Sequence, residues 1–239
     1  MANGKHIVIC GQSASGKTTL VNYLAKKYSC PIVPEHVDWI GGSKNFPKSP
    51  NTIVEKKAKQ KFFFDLDVER YNWTKNELEH SPLVISDADF TSPLAHNYAE
   101  RWFYPELDVY GWMVETYSEL LRKKILAPAD AYVYLDVSLE QRIVRRKSEM
   151  NNRKRNDVFF KEPFPSNMRQ FYFLLMNSGS TKKAVTSTWI KYDGLLNDSN
   201  ELICDFIGRQ MHSGDTKVQA EALIRILEGT ILDQSVNLE

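Results

Sequence analysis

The chain has 239 residues, 42% hydrophobic and 26% charged, with a formal net charge of +1. That length allows one globular domain with a lid or small appendage, and the near-neutral charge argues against a surface that generally coats nucleic acid. No apolar run reaches membrane-spanning length, Met1-Ala2-Asn3-Gly4-Lys5 leaves no room for a signal segment, and three scattered cysteines (Cys10, Cys30, Cys204) do not form a disulfide framework. A cytoplasmic, reducing setting is expected.

The first strand is expected at residues 5–10 and the first helix at 18–28. Between them lies Gly11-Gln12-Ser13-Ala14-Ser15-Gly16-Lys17-Thr18, which fits the phosphate-binding pattern G-x-x-x-x-G-K-[ST]. The glycines let the backbone curl so that its N–H groups point at phosphate oxygens, and the helix N-terminus adds its positive dipole end. Gly11, Ser13, Ala14, Ser15, Gly16, Lys17, Thr18 and Thr19 are the candidate nucleotide contacts. Lys17 reaches the outer phosphates, and the Thr18 hydroxyl is a candidate ligand for Mg²⁺.

A second strand at 31–34 ends in Val33-Pro34-Glu35-His36-Val37-Asp38-Trp39, and a Gly/Pro/Ser loop covers 41–50. A long helix is expected at 52–79. The third strand, 83–86, runs into Asp87-Ala88-Asp89-Phe90. Helices at 93–101 and 108–126 precede a fourth strand at 131–137, with further helices at 138–150, 166–178 and 199–210 and a fifth strand at 187–192. Such alternation predicts a parallel sheet covered by helices on both faces. The last amphipathic stretch, Lys217 to Leu232, is expected to pack on the domain's own core, with a homodimer contact as the alternative.

In such a sheet, ligands bind beyond the carboxyl ends of the strands. Asp87 ends an apolar strand and is the candidate acid on the metal side. Glu35 ends the neighbouring strand and is the candidate base or substrate ligand; its bland alternative is a surface ion pair. His36 and His96 read as wall residues. After the fourth strand, Arg142, Arg145 and Arg146 share one helix face, and Arg153-Lys154-Arg155 follow. Arginines there can close over a phosphoryl group as a lid, about 142–165; a solvated basic face is the bland alternative. Trp39, Gln60, Asp89 and Arg101 complete the candidate substrate contacts.

Together these features resemble the P-loop nucleoside and nucleotide kinases. The 33–39 segment is similar to the E-P-V-x-x-W strand end of deoxynucleoside kinases, in which the Glu accepts the sugar hydroxyl's proton. Asp87-x-x-x-x-Ser92-x-Leu94-Ala95 is similar to D-R-Y-x-x-S-x-L-A of thymidylate kinases. The Ser15 to Leu24 stretch, with Ile85-Ser86-Asp87-Ala88-Asp89-Phe90, resembles ribosylnicotinamide kinases. The chain departs from the first two families at Ala88, where they carry Arg, and Trp39 falls one residue early.

The resemblance implies a P-loop NTPase three-layer α/β sandwich with a five-stranded parallel sheet. It implies ATP and Mg²⁺, with γ-phosphoryl transfer to a small-molecule hydroxyl, a nucleoside first. A nucleoside-monophosphate acceptor would need Arg70 or Arg101 in place of the missing arginine. A non-nucleotide acceptor or a regulatory nucleotide switch are the further alternatives. One kinase domain over 1–239 is expected, with a helical appendage at about 215–234.

Overall fold

The computed structural model describes residues 4–149, 158–177, 185–192, 196–213 and 220–232. Arg153, Lys154 and Arg155, the middle of the expected lid, and Lys217 lie outside those residues.

Strand β1 (Lys5–Gly11) is buried along its whole length, as a strand covered on both faces must be. Helix α1 (Lys17–Tyr28) follows, burying Leu20, Val21, Leu24 and Ala25. Strand β2 has only two residues, Ile32–Val33. Pro34 has no N–H to continue the ladder, and the chain turns at once into helix α2 (His36–Trp39), where a strand end was expected. The 41–50 loop is irregular apart from a 3-10 turn at Ser43–Asn45.

Helix α3 (Ile53–Glu77) is capped by Thr52, whose hydroxyl accepts from Glu55 N, while the Glu55 carboxylate accepts from Asn51 N. Strand β3 (Leu83–Asp87) and helix α4 (Thr91–Glu100) come next. The helix starts two residues before its expected position because the Asp89 carboxylate accepts from both the Thr91 amide (3.0 Å) and its hydroxyl (2.6 Å). Then follow α5 (Tyr110–Arg122), β4 (Ala131–Asp136), α6 (Leu139–Glu149), α7 (Phe164–Asn177), β5 (Ser187–Lys191), α8 (Leu196–His212) and α9 (Ala220–Leu232).

The five strands are all parallel, in the order β2-β3-β1-β4-β5. Alternation along the strands divides the interior in two. Ile7 and Ile9 face α1 and α8, meeting Leu20, Leu24, Ile203 and Ile207. Val8, Cys10, Tyr132 and Tyr134 face the other way, toward Tyr98, Tyr117, Phe171 and Tyr172 from α4, α5 and α7. Phe64 of α3 belongs to this second core, its ring centre 4.7 Å from that of Tyr117.

Helix α9 lies on α5 and α7. Its apolar residues Leu223, Ile224 and Leu227 are buried there, and the Thr230 and Tyr110 hydroxyls are hydrogen-bonded. That stripe is thus covered within the chain. All three cysteines are free, and no helix among the described residues is long and apolar enough to cross a membrane.

Candidate active site

The Gly11–Thr18 loop joins the carboxyl end of β1 to the first turn of α1. Two of its positions require glycine. Gly16 has φ 94° as it leads into α1, and a Cβ on Gly11 (φ 152°) would sit 2.7 Å from Ser15 Oγ. Ala14 takes a left-handed turn at φ 61°, and the Ser15 amide donates to Gln12 O at 3.2 Å. The Gln12 amide nitrogen donates to Pro165 O at 2.8 Å, tying the loop to the start of α7.

Lys17 is buried and donates from Nζ to Gln12 O at 3.3 Å. The Thr18 hydroxyl, on the first turn of α1, donates to Asp87 Oδ2 at 2.5 Å. The other Asp87 oxygen, Oδ1, is buried without a hydrogen-bond partner among the described residues. Burial pushes the Asp87 carboxyl above its ordinary pKa; Lys17 pulls it down and Glu35 pushes it up. Glu35 is therefore within electrostatic reach of Asp87.

Glu35 occupies the N-cap position of α2, where its carbonyl accepts from Asp38 N and Trp39 N, both at 2.9 Å. Its half-buried side chain makes no hydrogen bond or ion pair among the described residues. His96 shares this neighbourhood. Burial lowers its pKa to about 4, against the raising influence of Glu100 and Glu35, so the imidazole is neutral at physiological pH. It packs against the Phe159 and Phe164 rings at 5.1 and 5.7 Å.

Helix α6 brings its arginines to the outside of the loop. Arg145 donates to Ser15 O at 2.9 Å and reaches Ala14 O at 3.5 Å. Arg142, almost wholly buried, donates to Ser13 O at 3.4 Å and lies over the Phe160 ring. Arg146 is half-buried on the same helix. Where a loop turns its N–H groups inward, its carbonyls point outward, and guanidinium donors suit them.

Gln60 of α3 is buried, with Nε2 3.4 Å from Asn97 Oδ1 and Oε1 without a hydrogen-bond partner among the described residues. Arg101 stacks among Tyr98, Trp102 and Tyr110, its guanidinium carbon 4.3 Å from the Tyr98 ring centre. Two expected contacts are directed elsewhere. Trp39 turns onto the outer side of α3, donating to Glu69 at 3.1 Å and meeting Trp73 edge-on. Asp89 faces inward: Oδ1 serves Thr91 and Oδ2 accepts from the Tyr132 hydroxyl at 3.0 Å. Its carboxylate is thereby committed to starting α4.

Sequence reasoning missed a buried polar group beside Glu35. Asp67 Oδ1 lies 2.7 Å from His36 Nε2, and Asp67 Oδ2 accepts from the Tyr117 hydroxyl at 2.7 Å. Arg70 donates to the Pro34 and Ala88 carbonyls, each at 2.9 Å, and to Asp87 O at 3.3 Å. The overlooked signal was a polar stripe at helical spacing on the buried side of α3: Lys56, Gln60, Asp67, Arg70 and Thr74. Aromatic contacts were also missed, with Phe46 packing on Phe62 and Phe63, and Phe63 on His36.

No family model matches the chain, and no curated protein matches it in sequence. Solved structures do match. Thymidylate kinase from Candida albicans is 17% identical with a TM-score of 0.63, over 90% of this chain and 97% of its own. Deoxyadenosine kinase from M. mycoides with products dCMP and dCDP bound is 17% identical with a TM-score of 0.64, over 85% and 99%. The same enzyme with bound dCTP gives 18% and 0.58, over 85% and 99%. With its five parallel strands, its helices on both faces and its glycine-containing Gly11–Thr18 loop after β1, the chain has the P-loop fold seen in these kinases.

Proposed function

We propose that the protein is an ATP- and Mg²⁺-dependent kinase that phosphorylates a hydroxyl of a small molecule, most simply a nucleoside. The observation that carries this reading is the meeting of three elements at one strand edge. Lys17 and Thr18 of the loop and Glu35 beyond β2 all stand within hydrogen-bonding or electrostatic reach of Asp87 of β3. One binds phosphate, one holds the metal side and one is a carboxylate free to take a proton, which is what phosphoryl transfer to an alcohol requires.

The residues fit Mg²⁺. Thr18 Oγ1 and the unpartnered Asp87 Oδ1 are hard oxygen donors, and among the described residues no cluster of three or more acidic, His or Cys side chains forms a complete metal cage. That suits a cation held partly by nucleotide phosphates and water. Held by Thr18 and Asp87, Mg²⁺ would supply positive charge that offsets the negative charge of the nucleotide phosphates. Lys17 and the loop N–H groups hold those phosphates. Glu35 takes the acceptor hydroxyl's proton as its oxygen bonds to the γ-phosphorus and the bond to the ADP oxygen breaks. Arg142, Arg145 and Arg146, on the helix already against the loop, offset the charge that develops.

An uncharged acceptor is favoured over a monophosphate. Ala88 supplies no guanidinium, and Arg70 is committed to three backbone carbonyls. Gln60, Asn97 and Arg101 border the acceptor side in this reading. The free cysteines agree with a cytoplasmic setting, and residues 1–239 act as one kinase domain.

The test is ATP consumption by the purified protein with Mg²⁺ against nucleosides, nucleoside monophosphates, nicotinamide riboside and hydroxyl-bearing non-nucleotides, with products identified by mass. A phosphorylated nucleoside is expected. Reaction of monophosphates alone would move the acceptor class, and ATP binding without any turnover would favour a nucleotide switch.

Asp87→Asn separates metal binding from stability. The raised pKa of Asp87 means folding disfavours its ionised form, so the charge costs stability at neutral pH. This cost fades as pH falls through the folded pKa. The nucleotide-free variant should melt above wild type at pH 7, with the gap closing in acid. Its ATP affinity should lose most of its Mg²⁺ dependence. A lower melting temperature together with intact Mg²⁺ dependence would contradict this assignment.

A further inference from the structure

We infer that Arg70 is a positioning residue for the proposed transfer, its one buried guanidinium setting the Glu35 strand end against the Asp87 strand end. The inference rests on the kinase reading above.

The sheet itself does not make this join. The β2–β3 ladder ends at Val33 opposite Ser86, one step short of Asp87 and two short of Glu35. Pro34 offers no N–H to extend it, and the chain leaves the sheet for α2. Asp87 pairs on its other side, with Ile9 of β1. Across the open side, the two N–H groups of Arg70 Nη2 serve three carbonyls: Pro34 at 2.9 Å, Ala88 at 2.9 Å and Asp87 at 3.3 Å. Pro34 directly precedes Glu35. Ala88 directly follows Asp87 and holds a left-handed φ of 61°, a conformation a non-glycine residue keeps only where its surroundings enforce it.

The other half of the fork is also tied. Arg70 Nη1 lies 3.0 Å from His36 Nε2 and 3.4 Å from Asp67 Oδ1, and His36 is the next residue after Glu35. Arg70, Asp67 and His36 are 3%, 4% and 6% exposed, so the whole group is out of water. A buried ion pair is a poor choice if the only need is to hold α3 on the sheet, since apolar residues of similar volume often do as well or better. A planar fork that reaches two strand ends and the residue flanking Glu35 has geometric value that an apolar side chain lacks. Lysine lacks it too, having one compact ammonium at the end of a flexible stem.

The experiment compares wild type, Arg70→Lys, Glu35→Gln and the double variant in the full chain, using the acceptor found in the panel. It measures kcat, KM for each substrate, ATP affinity and melting temperature. A cavity of ≈ 30 Å³ beside Arg70, lined by His6, Thr74, Ser86 and Asp89 among others, has room for a water to complete the lysine's hydrogen bonds.

Arg70→Lys is expected to lower kcat by about 10- to 100-fold, as a displacement near 1 Å at the reacting groups would. ATP affinity should stay within about twofold of wild type. In the Glu35→Gln background the same change should cost less than about threefold, because Arg70 acts through a carboxylate already removed. A kcat equal to wild type, or losses that multiply in the double variant, would overturn the inference while leaving the kinase reading intact. Wild-type protein that phosphorylates nothing in the panel would overturn both. If Arg70→Lys does not fold, Asp67→Asn keeps the guanidinium and removes its counter-charge; a smaller kcat loss with the same non-additivity is expected, and unchanged kcat would overturn the inference.

Discussion

Lys17→Ala is expected to lower turnover by about 10²- to 10³-fold or more, the effect of losing one preorganised charge at a phosphoryl group. Lys17 is the buried cation at the base of the phosphate-binding loop. The substitution removes the ammonium from the base of the loop, a position Arg142 and Arg145 do not occupy, since they meet the loop at the Ser13 and Ser15 carbonyls. A second readout follows from Asp87. Lys17 is the largest influence holding that carboxyl down against burial, so its removal raises the Asp87 pKa further. The pH above which Mg²⁺ strengthens ATP binding should therefore move upward in the variant. Turnover within a few-fold of wild type would remove Lys17 from the mechanism and the loop from phosphate binding.

Glu35→Gln is expected to lower kcat by about 10²- to 10⁴-fold, the range for loss of a general base, with ATP affinity nearly unchanged. The glutamine has the same shape and keeps the α2 N-cap geometry, because that turn is built from the Glu35 carbonyl and not its side chain. What disappears is a carboxylate that makes no hydrogen bond or ion pair among the described residues, and so is open to accept a proton. Glu35 also pushes the Asp87 pKa up, so the variant's metal-side carboxyl should ionise at lower pH than in wild type. Measuring kcat and the pH dependence of Mg²⁺-assisted ATP binding separates the two effects. An unchanged kcat would exclude Glu35 as the base and leave its charge as the only role.

The readable parts of this protein are those governed by local rules. The loop pattern between an apolar run and a helix placed the tight Gly11–Thr18 turn between β1 and α1, because glycine geometry acts over a few positions. Apolar runs located β1, β3 and β4 in the buried middle of the sheet, since a strand covered on both faces shows no polar alternation. The Arg142, Arg145 and Arg146 spacing located one helix face, and that face does meet the loop.

Contacts across the sequence were not readable in this way. Asp89, one residue beyond Ala88, was a candidate substrate contact, yet its carboxylate accepts from Thr91 at the start of α4 and from Tyr132, 43 positions away. Trp39 lies near the expected aromatic position but turns to Glu69 and Trp73 once Pro34 ends β2 and α2 forms. Arg70 carried no local mark of its task. Its role exists only because α3 packs across the ends of β2 and β3 and brings one guanidinium within reach of three carbonyls from residues 34, 87 and 88. The sequence by itself determined the strands and the place of the Gly11–Thr18 loop between β1 and α1, all set by neighbours along the chain. Only the tertiary structure decided which polar side chains are consumed in holding the strand ends and helix starts, because a buried hydrogen-bonding group takes whichever partner packing brings closest.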